Sequence, residues 1–424
     1  MATVLIKNAT LVRDNLKEAD VFIKDGIITK IGKVDRNADT VIDGTGKHLF
    51  YGFCDMHVHL REPGFEGKET IATGVRASVK GGVTAVACMP NLNPVNDNKL
   101  VTEYIVRHAK DEGYAKVYPI GAITKGQKGE SLAEMGAMKE AGIIAVSDDG
   151  QPVSDSKLMR LAMEYASTLS LPVISHSEDK TLSAGGAVNE GLASAEAGLP
   201  GISRASEEIG IARELILAET LALPVHIAHV STKGSVELIR FFKRKGVKVT
   251  AETCPHYFAL NDEIIKTYDT NTKVNPPIRT EDDRTAIIEG IMDGTIDVIA
   301  TDHAPHSASD KNTDYGSASF GISGIETSFS LSYSVLVKSG LITLTELNRL
   351  MGTKPREILG LGGKLREGEV ADLTLIDLNK DYVIDSAKFY SKGKNTPFNG
   401  LKVSGFVDTV LVDGEVKLSD GIII

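Results

Sequence analysis

Two histidines separated by one residue, His57 and His59, end an apolar stretch that covers residues 53–60. Because side chains alternate between the two faces of a strand, both imidazoles point to the same side, together with Asp55 and Arg61. A catalytic zinc ion usually has three protein ligands and an open position for water. The pair therefore supplies about half of a metal site, and we expect the remaining ligands elsewhere in the chain.

The elements that must position such ligands are eight short apolar runs in the middle of the chain, each followed by a helix-like segment. These runs are residues 53–60, 83–89, 116–123, 143–147, 172–176, 225–230, 247–253 and 296–301. Apolar strands that alternate with helices indicate a parallel sheet covered on its outside, and eight of them predict a (β/α)8 barrel of the TIM type. An open, doubly wound sheet is the alternative fold. It is disfavoured because no Gly-x-Gly-x-x-Gly follows the first strand.

Both ends of the chain differ from the middle, because they consist of short strands and turns. An Asp-Gly pair at 25–26 between alternating apolar residues predicts a hairpin, and a similar pattern returns near residues 371–376 and 409–416. We therefore expect one small β-sandwich domain built from both termini. Its two parts would be residues 1–51 and 361–424, with the barrel at 52–360.

In a barrel of this type the active site forms where the strands end at their C-terminal side. Polar residues that could bind a metal or a substrate recur at these ends, namely His57, His59, Arg61, Asn91, Asp148, Asp149, His176, His229, Asp302, His303 and His306. A single histidine at a strand end is more often structural, and an Asp-Asp-Gly sequence is also a plausible turn or helix cap. The set as a whole is typical of a dispersed metal site. We interpret His226, His256 and His303 as structural.

Two of these runs resemble the motifs of the dihydroorotases, specifically the longer class I form within the amidohydrolase superfamily. They are Asp55-Met56-His57-Val58-His59-Leu60-Arg61-Glu62-Pro63-Gly64 and Ala300-Thr301-Asp302-His303-Ala304-Pro305-His306. The resemblance extends over essentially the whole chain. It implies the barrel with a terminal β-sandwich and the interconversion of (S)-dihydroorotate and N-carbamoyl-L-aspartate in pyrimidine biosynthesis. A homodimer and an association with aspartate transcarbamoylase are further expectations.

The resemblance also implies the roles of individual residues. Asp149 would bridge two zinc ions, and Asp302 would be the catalytic proton shuttle for a metal-bound hydroxide. The implied zinc ligands are His57, His59, Asp149, His176, His229 and Asp302. The implied substrate contacts are Arg61, Asn91, Asn275, His306 and the backbone of Phe320 and Gly321.

One feature separates the chain from related families. Hydantoinases and the shorter dihydroorotases use a carboxylated lysine as the bridge between the metals, whereas here the fourth strand ends in Asp148 and Asp149 without a lysine. The sequence departs from the class I pattern at Ser203, where we expect a second proline. This position belongs to a loop and affects no expected ligand.

Composition excludes several classes of function. The chain has 47 Lys and Arg against 57 Asp and Glu, a net charge of −10, and no basic stripe, so we expect no binding of nucleic acid. An anionic substrate would need a local cation, for which Arg61 is placed. No apolar run reaches the roughly 18 residues of a membrane span, and we expect a cytoplasmic protein with its three cysteines reduced.

Two rival functions remain open. One is the hydrolysis of another cyclic amide, as in a hydantoinase or an allantoinase. The other is a catalytically inactive scaffold, which would be expected to have lost ligands. The polar loop at 307–319 is interpreted either as a mobile surface loop or as a lid over the substrate.

Overall fold

The N-terminal strands lie side by side in the computed structural model, which describes residues 3–424. They are β1 (Thr3–Val12), β2 (Leu16–Lys24), β3 (Ile27–Gly32), β4 (Thr40–Asp43) and β5 (His48–Tyr51). Strands β1, β2 and β3 are antiparallel neighbours, and the turn between β2 and β3 is the predicted Asp-Gly pair. Asp25 and Gly26 have φ angles of 51° and 79°, which a two-residue hairpin turn of this type requires.

Eight of the next ten strands form the barrel, and each lies within one of the predicted apolar runs. The ten are β6 (Phe53–Val58), β7 (Val83–Cys88), β8 (Lys116–Gly121), β9 (Ala145–Val146), β10 (Ile174–Ser175), β11 (Val188–Asn189), β12 (Gly201–Ile202), β13 (Val225–Ile227), β14 (Val249–Thr253) and β15 (Val298–Ile299). Strands β6 to β9 form one parallel sheet, and β10, β13, β14 and β15 form another. Parallel bridges between Val146 and Val173 and between Val58 and His303 close the circle. The predicted (β/α)8 barrel is confirmed.

Helices lie on the outside of the barrel and at its mouth. They are α1 (Ile71–Lys80), α2 (Lys99–Glu112), α3 (Met135–Ala141), α4 (Ser156–Thr168), α5 (Lys180–Ser183), α6 (Leu192–Ala197), α7 (Arg204–Leu221), α8 (Lys233–Arg244), α9 (Pro255–Ala259), α10 (Glu281–Met292), α11 (Ala308–Lys311), α12 (Ser328–Ser332), α13 (Leu344–Asn348) and α14 (Lys354–Ile358). Helix α8 shows how they are positioned, because Thr232 caps its N-terminus and the buried Val236 and Ile239 are three residues apart. Side chains at this spacing share one face, which packs against the barrel.

The C-terminal strands return to the N-terminal ones. They are β16 (Leu373–Val383), β17 (Lys402–Val412), β18 (Glu415–Ser419) and β19 (Ile422–Ile423). Strand β16 pairs antiparallel with β5, so both termini form one nine-stranded sheet, and a bridge from Ile27 to Val370 curls this sheet into a sandwich-like layer. Leu11, Leu49 and Leu373 are fully buried within it. The predicted sandwich built from both termini is confirmed as this sheet, and the boundaries 1–51, 52–360 and 361–424 stay a proposal.

Cys54, Cys88 and Cys254 are buried and unpaired, as expected of reduced thiols. Among residues 3–424, no helix combines the length and the apolar character that crossing a membrane requires.

Candidate active site

Six side chains from five strands converge at the C-terminal end of the barrel. His57 lies in β6 and His59 just beyond it, and the others directly follow β9, β10, β13 and β15. All six are at most 5% exposed, namely His57, His59, Asp149, His176, His229 and Asp302. The structure therefore brings together every residue of the expected ligand set.

Asp149 occupies the centre of this cluster. Its Oδ1 lies 3.3 Å from His57 Nε2, 3.3 Å from His176 Nδ1 and 3.5 Å from His229 Nε2. Its Oδ2 lies 3.5 Å from His59 Nε2. One carboxylate thus contacts all four imidazoles, which is the position that a bridging ligand would need.

Asp302 lies beside the first two histidines, with its Oδ1 3.0 Å from His59 Nε2 and 3.4 Å from His57 Nε2. Two three-residue groups have ligand atoms close enough to share one ion, and both contain His57. The first adds Asp149 and His229, and the second adds His59 and Asp302. Because both groups contain His57, they mark two overlapping candidate positions for a cation.

The outer nitrogens of three imidazoles test whether the cluster fits a metal. His57 Nδ1 lies 2.6 Å from a Glu252 oxygen, His59 Nδ1 2.9 Å from Asn91 Oδ1, and His176 Nε2 3.1 Å from a Glu178 oxygen. Partners of this type fix the tautomer that turns the other nitrogen toward a metal.

The inner nitrogen of His57, Nε2, is buried, and although carboxylate oxygens of Asp149 and Asp302 lie 3.3 Å and 3.4 Å away, it makes no hydrogen bond. A buried polar atom of this kind requires an explanation, and a coordinated cation is one. The donor set of imidazole nitrogens and carboxylate oxygens suits zinc. The residues present therefore fit a metal centre.

The electrostatics of the cluster point in the same direction. Burial alone would lower the pKa of His57, but the carboxylates of Asp149, Glu252 and Asp302 raise it well above its usual value. Burial also favours a lower pKa for His176, but the carboxylates of Asp149 and Glu178 outweigh it and raise the pKa of His176 to about 9. The buried carboxylates thus stabilise positive charge in the cluster, which either protons or metal cations can supply.

Three of the predicted site residues have backbone angles that are uncommon for residues other than glycine. The φ angles of Arg61, His229 and Asp302 are 62°, 34° and 46°. Such conformations cost free energy and concentrate at functional sites. These backbone angles are a second indication, independent of side-chain chemistry, that the three residues belong to a functional site.

A cleft of about 560 Å³ opens above the cluster. Five of the six cluster residues line it, and His57 lies below them. All six expected substrate contacts line it as well, namely Arg61, Asn91, Asn275, His306, Phe320 and Gly321. Their assignment to the substrate stays a prediction.

His306 has both ring nitrogens engaged. Lys68 Nζ donates to Nδ1 across 3.2 Å, so the proton of the neutral ring is on Nε2, which donates to the Phe320 carbonyl across 2.7 Å. Burial and the cations of Arg61, Lys68 and Lys311 lower the pKa of His306 to about 3. A neutral His306 therefore joins the segment that follows β15 to the Phe320 backbone.

Several residues that support the site were missed by sequence reasoning. Glu252 accepts from His57 and also contacts His226 Nε2 at 3.1 Å. His226, interpreted as structural, is therefore linked to the expected ligand His57 through Glu252. A glutamate inside the apolar strand β14 was the available signal. His303 and His256 lie outside the cluster, and His303 contacts Glu69 instead.

Comparisons with known proteins agree with this geometry. A family model described as Dihydro-orotase-like matches residues 46–235. The dihydroorotase of Thermoanaerobacter sp. (strain X514) is 51% identical over 417 residues, which cover 98% of this chain and 97% of the relative. The dihydroorotase of Acetivibrio thermocellus is 51% identical over 407 residues, covering 96% of each chain.

Solved structures give the same fold. The L-hydantoinase (dihydropyrimidinase) of Arthrobacter aurescens superposes with a TM-score of 0.89 at 25% identity, covering 100% of this chain and 98% of the other. A D-hydantoinase gives 0.84 at 26% identity. The hydantoinases share the barrel and the terminal sheet, while the sequence relatives at about twice that identity are dihydroorotases. The chain belongs to the dihydroorotase family, within the amidohydrolase superfamily.

Proposed function

We propose that the chain interconverts (S)-dihydroorotate and N-carbamoyl-L-aspartate, with ring closure as the biosynthetic direction. The observation that carries this proposal is the buried cluster of four imidazoles and two carboxylates in the floor of a cleft that also exposes Arg61. The family relationship supports the choice of substrate.

The six cluster residues would hold two zinc ions, with Asp149 between them. When bound, zinc lowers the pKa of a water molecule to about 7 and so supplies a nucleophile at neutral pH. The outer-nitrogen contacts of His57, His59 and His176 would keep these rings in the tautomers that present their inner nitrogens.

The proton shuttle is the role of Asp302, which lines the cleft and lies beside His59. In ring opening, a carbon–oxygen bond forms at the ring amide carbonyl and the bond from that carbon to the ring nitrogen breaks. Asp302 takes a proton from the attacking water and delivers it to the leaving nitrogen. Ring closure consumes one proton overall, so low pH favours the cyclic form.

Arg61 would bind the carboxylate that dihydroorotate keeps throughout the reaction. Its planar guanidinium can make two parallel hydrogen bonds to a carboxylate. The backbone carbonyl of Pro305 already accepts from Arg61 Nε across 3.3 Å, which orients the group.

A direct assay tests the proposed function. Zinc-loaded protein is expected to turn over dihydroorotate and to act at least about a hundredfold less efficiently on hydantoin and allantoin. Asp302→Ala should abolish turnover, and residual activity within about tenfold of the wild type would refute the shuttle role. No turnover of dihydroorotate by the wild type would overturn the proposal, and preferred turnover of hydantoin would favour the hydantoinase alternative.

The assembly of the protein is a separate proposal. We propose a homodimer that associates with aspartate transcarbamoylase, on the basis of the family relationship alone. Light scattering of the purified chain, with and without the transcarbamoylase, tests both points. The cytoplasmic location stays a prediction.

A further inference from the structure

A segment of the C-terminal part of the chain crosses the rim of the barrel beside the cleft. This segment, residues 391–396, lies between β16 and β17, and we refer to it as the strap. Asn395 is one of the strap residues that face the barrel, and it is only 4% exposed. The strap therefore belongs to the site region although it is far from the barrel in sequence.

The side chain of Asn395 makes four hydrogen bonds to two barrel loops. Its Nδ2 donates to the carbonyls of Ala304 at 3.1 Å and Gly321 at 3.0 Å. Its Oδ1 accepts from the amide of His306 at 2.9 Å and from Ser323 Oγ at 2.9 Å. A primary amide offers two donors and an acceptor oxygen with two lone pairs, and all four are used here.

The two loops joined in this way form one edge of the cleft. The first carries His306, and the second carries Gly321 and begins at Phe320. The His306 ring also donates to the Phe320 carbonyl. The two loops are therefore joined twice, once by this contact and once by the side chain of Asn395. Removal of the amide would leave two buried carbonyls and one buried amide of these loops without partners.

The rest of the strap is fixed at close range. Glu69 accepts from the Ser391 hydroxyl and, at 3.0 Å, from the Lys392 amide. A Cβ atom on Gly393 would lie 2.5 Å from Pro305 Cβ and 2.8 Å from the His306 nitrogen. Only a glycine allows the strap to approach the loop this closely.

We infer that Asn395 is a positioning residue for substrate binding. It sets the His306 edge of the cleft against the Phe320 edge, so that residues outside the barrel complete the substrate site. The inference rests on the proposed function, because the affected edge carries the expected substrate contacts. It requires no new contact between Asn395 and the substrate.

Steady-state kinetics of zinc-loaded Asn395→Ala test this inference. We expect KM for dihydroorotate to rise at least about tenfold, while kcat stays within about threefold and zinc content is unchanged, since none of the four hydrogen bonds of Asn395 goes to an expected metal ligand. The matched control is Asn399→Ala, because Asn399 is exposed and its side chain accepts one bond, from the Ser386 amide at 2.9 Å. Its KM should stay within about twofold of the wild type.

Hydrogen exchange gives a readout that does not depend on activity. The amide of His306, which loses its acceptor, should exchange at least about tenfold faster in Asn395→Ala than in the wild type and in Asn399→Ala. Unchanged exchange, or an unchanged KM, in folded Asn395→Ala would overturn the inference. A wild type without activity on dihydroorotate would refute the proposed function, while the exchange experiment would still test the positioning.

Two milder variants decide the matter if Asn395→Ala does not fold. Ser323→Ala removes one of the four bonds, and Gly393→Ala pushes the strap away from Pro305. Both should raise KM about threefold or more with kcat retained. A KM equal to that of the wild type in both variants would overturn the inference.

Discussion

Arg61 is the residue that we propose binds the substrate carboxylate. It is a cation lining the cleft of a chain with a net charge of −10. Arg61→Lys keeps the charge but loses the two-point geometry, so we predict that KM for dihydroorotate rises at least about tenfold while zinc content holds. Arg160→Lys, on the exposed face of α4, is the control. An unchanged KM in Arg61→Lys would remove this residue from the substrate site.

A substitution at Glu252 tests whether contacts to the outer nitrogens of the expected ligands support metal binding. Its two oxygens contact His57 Nδ1 and His226 Nε2, and the positive charge that these rings can carry lowers the pKa of the Glu252 carboxyl despite complete burial. Glu252→Gln keeps the shape but not the charge, and we predict a zinc affinity at least about tenfold weaker in a chelator competition.

The control for Glu252→Gln is Asp297→Asn, a buried carboxylate that accepts from Lys243 and from the Ala251 amide. It makes none of the histidine contacts and should leave the affinity within about twofold. Equal affinities in both variants and the wild type would mean that the Glu252 charge does not support His57.

The expected ligands could be identified from the sequence because local rules place them. His57 and His59 share a face through strand alternation, and the others follow apolar runs whose ends meet in a barrel. Glu252 and Asn395 could not be assigned in this way. Glu252 meets His57 across 195 residues, and Asn395 meets His306 across 89, so neither contact follows from local spacing.

At the scale of elements, the loop expected to be either a lid or a mobile surface segment is anchored to residues 270–273 at several points. It contains the short helix α11, and Lys311 Nζ donates to the carbonyls of Thr270 at 3.0 Å and Lys273 at 3.1 Å. Its function as a lid stays a prediction. The eight barrel strands were readable from apolar runs, whereas the strap has no apolar periodicity and is positioned only by its polar contacts.

The contact of the strap with Glu326, in the turn before α12, predicts a pH dependence of stability. Glu326 accepts from the Ser391 amide at 3.0 Å, and burial raises the pKa of its carboxyl from 4.5 to about 8, against the opposing effects of that amide, Lys80 and Lys394. Between these two values only the native state holds the proton. The free energy of unfolding should therefore fall as pH rises through this window, by up to about 1.4 kcal/mol per pH unit from this group.

Urea unfolding at pH 5, 6, 7 and 8 measures this slope. Glu326→Gln cannot titrate and should flatten it relative to the wild type, while Glu415→Gln, at an exposed position of β18, should not. Identical slopes for Glu326→Gln and the wild type would show that the native carboxyl is ionised across the window.

At the scale of the whole molecule, the cluster ties together five of the eight barrel strands. A cation bound there would contact residues from β6 to β15 at once, and the unfolded chain offers no comparable site. Ligands that bind only the native state stabilise it by about 4 kcal/mol at a thousandfold excess over Kd. We therefore predict that removing zinc with a chelator lowers Tm by about 4 °C, and that added zinc restores it.

The double variant His57→Ala/His59→Ala separates this effect from nonspecific binding. Its Tm should be lower than that of the zinc-loaded wild type and should rise little on addition of zinc. The remaining cluster residues come from four strands and lack the imidazoles of His57 and His59. Differential scanning calorimetry of chelated and zinc-loaded protein provides the measurement without any assay of turnover. Equal midpoints for the two forms of the wild type would mean that the cluster does not couple metal binding to the closure of the barrel.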